Sequence, residues 1–344
     1  MFNRQVVLVV GAGASHDKYG LPLGGQLASG IAKDTDFLFE HIVNRPVRGD
    51  ADLFDTVIYR NFSHDRATLD RYTDAGHKLS AALGSTVSVD DALYQLSDYP
   101  EAVQLGKICI MRSILKAERD SPLKMEAMLG QPSPDAGKDG WIEQIFSMAI
   151  TGFKLGQIKH AFKRITFINF NYDRCIEHYL FWSLQRLGLS SDDASETIQN
   201  LNIIRPYGTL GSVVPGTPSF LKFGAPPPAD LFGVIGRIRT FTESDALHDK
   251  EKLSSALYGA SLIVFLGFGF HPQNLKLLTL PPDQQLRRVK LLATVLGVHG
   301  ANLTELTSTL HSGLRVDGDL VETHAMTASE ILQKLRMKIT MAVG

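Results

Sequence analysis

Near the amino end, five consecutive apolar residues, Val6-Val7-Leu8-Val9-Val10, run directly into Gly11-Ala12-Gly13-Ala14-Ser15. A run this short, rich in valine and closed by glycine, predicts a strand covered on both faces, the environment of a parallel sheet. Glycines at its end allow a sharp turn, and they let an anionic group approach backbone amides with no side chain in the way. A helix starting behind the turn adds the positive end of its dipole, so the position suits a pyrophosphate. The same residues are also compatible with a tight strand-to-helix turn that holds no ligand.

Three more runs have the same character, at 165–170, 261–267 and 289–295, and two weaker ones lie at 201–204 and 220–223. Between them, the stretches 173–187, 249–258 and 328–341 repeat apolar residues at intervals of three and four, the signature of amphipathic helices. Strands alternating with helices imply βαβ units, hence an α/β fold with a Rossmann-like, doubly wound and mostly parallel sheet. The interval 35–164 differs, since it has helical patterns and almost no strand-like run. Its clearest helices span 88–96 and 102–117, with Ser88 placed as an N-cap and Asp90 and Asp91 in the first turn. The proline- and glycine-bearing segment 131–139 reads as its main loop. The expectation is a single domain over 1–344, in which 1–34 and 165–344 form a nucleotide-binding sheet and 35–164 a helical insertion.

Lys and Arg number 35 against 36 Asp and Glu, so there is no overall field to draw nucleic acid or an anionic membrane. The basic group Arg287, Arg288 and Lys290 is short and reads as a solvated patch. No apolar stretch approaches the roughly 20 residues needed to span a bilayer. Cys109 and Cys175 fall within predicted helices and lack a second thiol at metal or disulfide spacing, which predicts a cytoplasmic protein with no metal site.

The glycine turn departs from the common dinucleotide fingerprint, because His16 stands where a third glycine belongs. Asp34 and Asp36 lie in unpatterned polar sequence, so no second strand carries a ribose-binding acid about twenty residues on, and a hydride-transferring dehydrogenase is disfavoured. Four segments taken in order do resemble the sirtuin-like NAD-binding domains. These are Gly11-Ala12-Gly13-Ala14-Ser15 with Gly20-Leu21-Pro22, then Asn169-Phe170-Asn171-Tyr172-Asp173, then Pro206-Tyr207-Gly208, then Phe265-Leu266-Gly267-Phe268-Gly269. The zinc-binding cysteine pairs of protein deacetylases are absent. Val87-Ser88-Val89-Asp90-Asp91, Gly106-Lys107, the segment from Gly269 to Leu275 and Ala293-Thr294-Val295 are instead similar to the bacterial anti-phage branch. That resemblance implies hydrolysis of NAD to ADP-ribose and nicotinamide, a homo-oligomer, and a partner such as a hexameric ATPase or an Argonaute-like protein.

Breaking the bond from nicotinamide to ribose passes through an oxocarbenium-like state with an already charged leaving group, so the enzyme must hold the ribose and deliver one water. Asn171 suits that water, since an amide can donate and accept without changing charge. Asp173 reads as a ribose or nicotinamide contact, a helix cap, or both. Tyr207 stands where the family has a histidine acting on ribose, and an ordinary phenol is a poor base at neutral pH. Gly11, Ala12, Gly13 and Ser15 read as phosphate contacts and His16 as the histidine nearest a ligand; the resemblance lays Pro22 over the bound dinucleotide, and Gly267, Phe268 and Gly269 read as cofactor-binding, the glycines allowing close approach on the adenosine side. Phe268 and Phe270 also read as core. His178 and His271 are the other histidines near these motifs. Two functions stay open at this point: an NAD glycohydrolase, and a subunit that binds NAD or ADP-ribose without turning it over. The apolar residues Ile331, Leu332, Leu335 and Ile339 fit either a partner contact or the core.

Overall fold

A computed structural model describes residues 2–40, 45–86, 88–244, 247–286, 289–317 and 320–344; Val87, Arg287 and Arg288 fall outside these. Six strands form one sheet: β1 (Val6–Val10), β2 (Ile165–Asn169), β3 (Asn202–Ile204), β4 (Leu262–Leu266), β5 (Lys290–Thr294) and β6 (Val321–His324). Every neighbouring pair is parallel and the order across the sheet is β3-β2-β1-β4-β5-β6. The chain winds outward from β1 to β3, then returns to build β4 on the other side of β1. This is the Rossmann order, and its switch point lies between β1 and β4, where the connections leave in opposite directions and open a crevice at the carboxyl ends.

All five residues of β1 are buried, and they serve two faces by alternation. Val7 and Val9 belong to one apolar core, while Val6, Leu8 and Val10 belong to the other. The helices that cover the sheet or border its crevice include α1 (Ala12–Tyr19), α2 (Gly24–Thr35), α3 (Arg66–Ser85), α4 (Val89–Gln95), α5 (Pro100–Asp120), α6 (Trp141–Ile150), α7 (Cys175–Arg186) and α8 (Pro272–Leu278). From the stretch between β1 and β2, α3 to α5 supply Leu79, Leu93 and Leu105 to the core of Val7 and Val9. The same stretch sends α6 to the opposite face, where Trp141 and Ile145 pack with Tyr19 and Phe167. The long interval therefore covers both faces of the sheet rather than closing a core of its own.

The two-stranded pairings in this interval, Leu38–Phe39 with Pro46–Arg48 and Met125–Glu126 with Gln131–Pro132, lie outside the main sheet. Ser88 caps α4 by accepting from the Asp91 amide at 3.1 Å. Three expectations change. The run 220–223 is no strand: Leu221 donates to the Ser212 carbonyl at 2.8 Å in an isolated bridge. The pattern at 328–341 breaks at Leu335 into two helices, Ala328–Lys334 and Arg336–Val343. The short β6 has no counterpart among the runs expected from the sequence. Ile331, Leu332 and Ile339 are buried against the sheet, which assigns them to the core. Cys109 and Cys175 are buried and free. No helix among the described residues is long and apolar enough to cross a membrane.

Candidate functional site

A cavity of about 550 Å³ opens at the carboxyl ends of β1, β2 and β4, within the range of about 300–1,000 Å³ usual for small-molecule sites. Its lining includes Gly11, Ala12, Gly13, His16 and Pro22 from the first turn, and Asn171, Asp173 and Tyr207 from the middle of the chain. Gly267, Phe268 and Gly269 complete the far wall. Ser15 sits just behind, buried, and meets Asn171. Every site residue expected from the sequence thus lies in or against one cavity.

The glycines work differently from the expectation. The Gly11 amide donates to the Leu266 carbonyl at 3.0 Å and that of Gly13 to the Gly267 carbonyl at 2.9 Å. A Cβ on Gly11 would stand 2.6 Å from the Phe268 Cα, and one on Gly13 would stand 2.9 Å from the Gly267 Cα. Gly267 adopts a φ of 55° and a Cβ there would overlap the Ala14 amide. These glycines let two turns touch backbone to backbone, and their amides are spent in doing so. What remains for an anion is the Ala12 amide at the first position of α1, where a helix has no internal acceptor for it, and the dipole behind it. A second helix, α2, starts at the rim, where Gly24 and Gly25 also line the cavity.

Asn171 is 8% exposed and its orientation is determined. Its side-chain nitrogen donates to the Gly11 carbonyl and to the Ser15 hydroxyl, both at 3.0 Å. With both hydrogens committed, only Oδ1 is left for a ligand, so the residue can accept from a water or hydroxyl but cannot also donate. Asp173 uses Oδ1 to accept the Cys175 amide at 3.1 Å, where α7 begins. The chain between them is clamped from behind. Arg205 donates to the carbonyls of Asn171 and Asp173, each at 3.1 Å, and pairs with Glu177 at 2.6 Å. Deeper still, Arg174 and Glu118 form a fully buried ion pair in which Arg174 also donates to the carbonyl of Leu221 and Glu118 accepts the Gly224 amide.

Tyr207 is buried, with its hydroxyl donating to Asn274 Oδ1 at 2.6 Å. Burial, reinforced by Asp90, pushes the phenol far above its ordinary range, which removes it as a base. Its ring packs edge-on against Phe170 and tilted against Tyr172. Phe268 is 5% exposed inside an aromatic group with Phe170, Phe265 and Phe270, so it is wall and core together.

The histidines separate. His16 lines the cavity, and one ring nitrogen contacts the Leu21 carbonyl at 2.9 Å, fastening the Gly20-Leu21-Pro22 segment over the turn. His271 also lines it, with burial lowering its pKa. His178 does not take part: it is buried, stacked on Phe223 at 3.9 Å and bonded to the Leu123 carbonyl, and burial lowers its pKa to about 3.

Asp90, which the sequence places only in the first turn of a helix, is a site residue as well. It reaches the cavity from α4, accepts the Tyr172 hydroxyl at 2.6 Å, and burial raises its pKa to about 6. The motif spacing could not reveal this, since it shows that α4 starts at Ser88 without showing what its first turn faces. Among the described residues no Lys or Arg lines the cavity, whereas Asp17, Asp90 and Asp173 do. Among the described residues no cluster of His, Cys, Asp and Glu could hold a metal ion.

Fold and site together define an α/β protein of Rossmann strand order with a ligand-sized cavity at its switch point. No family model, curated protein or solved structure matches the chain.

Proposed function

We propose that the protein is an NAD glycohydrolase, a sirtuin-like effector of bacterial anti-phage defence that works in the cytoplasm with an oligomeric or partner-controlled switch. The observation that carries this reading is the convergence of the first glycine turn and the Asn171-Tyr172-Asp173 segment on one cavity. The electrostatics favour a ligand of mixed charge. The starts of α1 and α2 suit a diphosphate, while the carboxylates of Asp90 and Asp173 suit a pyridinium. NAD carries both.

In the reaction, the bond from C1′ of the ribose to the nicotinamide nitrogen breaks with its electron pair going to nitrogen, which leaves as neutral nicotinamide. A water oxygen bonds to C1′, and one proton is released. Asn171 Oδ1 accepts a hydrogen bond from that water or from a ribose hydroxyl, held there by Gly11 and Ser15. The aromatic wall of Phe170, Tyr172 and Phe268 keeps bulk water from the short-lived cation. Incubation of the purified protein, together with its partner and trigger, with NAD tests the reading: nicotinamide and ADP-ribose are expected, and intact NAD overturns it.

A second reading has one observation in its favour. The Tyr207 phenol is bonded to Asn274 and cannot serve as a base, as expected of a regulatory subunit that binds NAD or ADP-ribose and leaves it uncut. Calorimetric binding without nicotinamide release would support that alternative.

A further inference from the structure

Resting on the glycohydrolase reading, we propose that Asp90, carried to the cavity by the helix between β1 and β2, is the proton acceptor for the attacking water, with Tyr172 as its positioning residue. Three relationships support this. Asp90 and Asn171 line the same cavity, and the Tyr172 hydroxyl, next in sequence to Asn171, donates to Asp90 Oδ1 at 2.6 Å. That bond leaves Asp90 Oδ2 to take a proton. Tyr172 lies 6.1 Å, ring to ring, from Tyr207, so the carboxylate stands beside the phenol that cannot act as a base.

The surroundings permit ionisation near neutral pH. Burial raises the Asp90 pKa to about 6; the Tyr172 hydroxyl and Asp90's own amide pull it down, and Asp91 pushes it up. Of the helices packed on α4, α2 and α3 offer buried apolar residues such as Ile31 and Leu79. Lys107 on α5 and Glu243 on the helix Phe241–Ser244 pair with each other at 3.0 Å. His271 faces Asp91 from the loop after β4. In the step itself, the water oxygen bonds to C1′ as nicotinamide leaves, and the water's proton passes to Asp90 and then to solvent.

The test is nicotinamide release by the native protein, D90N, Y172F and D91N from about pH 4 to about pH 8, with NAD binding by calorimetry as a check on each fold. The native rate is expected to rise with pH through a midpoint near 6. D90N still accepts the Tyr172 hydroxyl but cannot take a proton, so it is expected to bind NAD, lose about 10²-fold or more in rate and lose the acid limb. Y172F, which removes a bond that favours the charged carboxylate, is expected to move the limb upward, and D91N, which removes a charge that raises the Asp90 pKa, to move it downward. An active native protein whose D90N variant keeps both rate and limb overturns the Asp90 assignment alone. A native protein that, with its partner and trigger supplied, binds NAD yet releases no nicotinamide at any pH overturns the glycohydrolase reading, and the assignment with it.

Discussion

The Gly13 amide donates to the Gly267 carbonyl at 2.9 Å, so the turns that end β1 and β4 are joined through backbone alone. Both glycines are demanded by this contact, and the cavity exists where the joined turns face the end of β2. Gly267 has the least freedom, because its φ of 55° disfavours any other residue and a Cβ would overlap the Ala14 amide.

Gly267→Ala is therefore expected to destabilise the protein by about 3 kcal/mol or more, since strain and overlap act together. Gly24→Ala provides the contrast: a Cβ there meets nothing within 4 Å, so it is expected to be neutral or to stabilise by about 0.5 kcal/mol through the unfolded chain. Urea unfolding of the two variants measures the difference.

The Glu177–Arg205 pair supplies the second expectation. Arg205 fixes the carbonyls on either side of Tyr172 while its side chain is only 9% exposed. Arg205→Ala would leave Glu177 and two carbonyls without that partner, and a loss of about 3 kcal/mol is expected. Arg205→Lys keeps the charge but not the fork that spans two carbonyls and a carboxylate. It is expected to fold, to hold NAD, and to lose turnover more than binding as Asn171 loosens. Comparing kcat with KM separates these effects.

Asn171 gives a third. Asn171→Asp places a carboxylate oxygen where the side-chain nitrogen now donates to the Gly11 carbonyl. Two acceptors then face each other in a buried site, at a cost of about 1–3 kcal/mol. Asn171→Ala removes the acceptor without adding repulsion, so it is expected to fold better than Asn171→Asp and still to release nicotinamide about 10²-fold more slowly than the native chain.

Much of the architecture was legible because burial on both faces writes itself as uninterrupted apolar sequence. Val6–Val10 and the run ending at Leu266 are strands for that reason. The edge strand Val321–His324 escaped because its four residues are only half-buried and alternate Val, Glu, Thr, His. The run 220–223 misled in the opposite sense: its apolar residues fill a loop that caps the Arg174–Glu118 pair. The sequence grouped residues that share one cavity, but it did not show how they are wired. That the amides of Gly11 and Gly13 are spent on the carbonyls of Leu266 and Gly267, that Asn171 can only accept, and that Asp90 faces the cavity all depend on contacts between segments far apart in sequence, to which motif spacing is blind.

The pH dependence of stability tests two buried groups against each other. His178 has its folded pKa lowered from 6.5 to about 3 by burial. Between those values the unfolded chain binds a proton that the folded one does not, so stability rises with pH by about 1.4 kcal/mol per unit. Asp90 has its folded pKa raised from 3.8 to about 6, again by burial. In that window the folded chain binds the extra proton, so its contribution falls as pH rises, with the same slope and opposite sign. Between about pH 4 and about pH 6 the two nearly cancel in the native protein. Asp90→Asn removes only the falling part, and its unfolding free energy is expected to climb by about 1.4 kcal/mol per unit more steeply than the native value across this window. His178→Phe, which keeps a flat ring against Phe223, is expected to tilt the slope the other way. Urea titrations at several pH values read both slopes; parallel curves for the native protein and Asp90→Asn would mean that Asp90 ionises in the folded state much as it does in the unfolded chain.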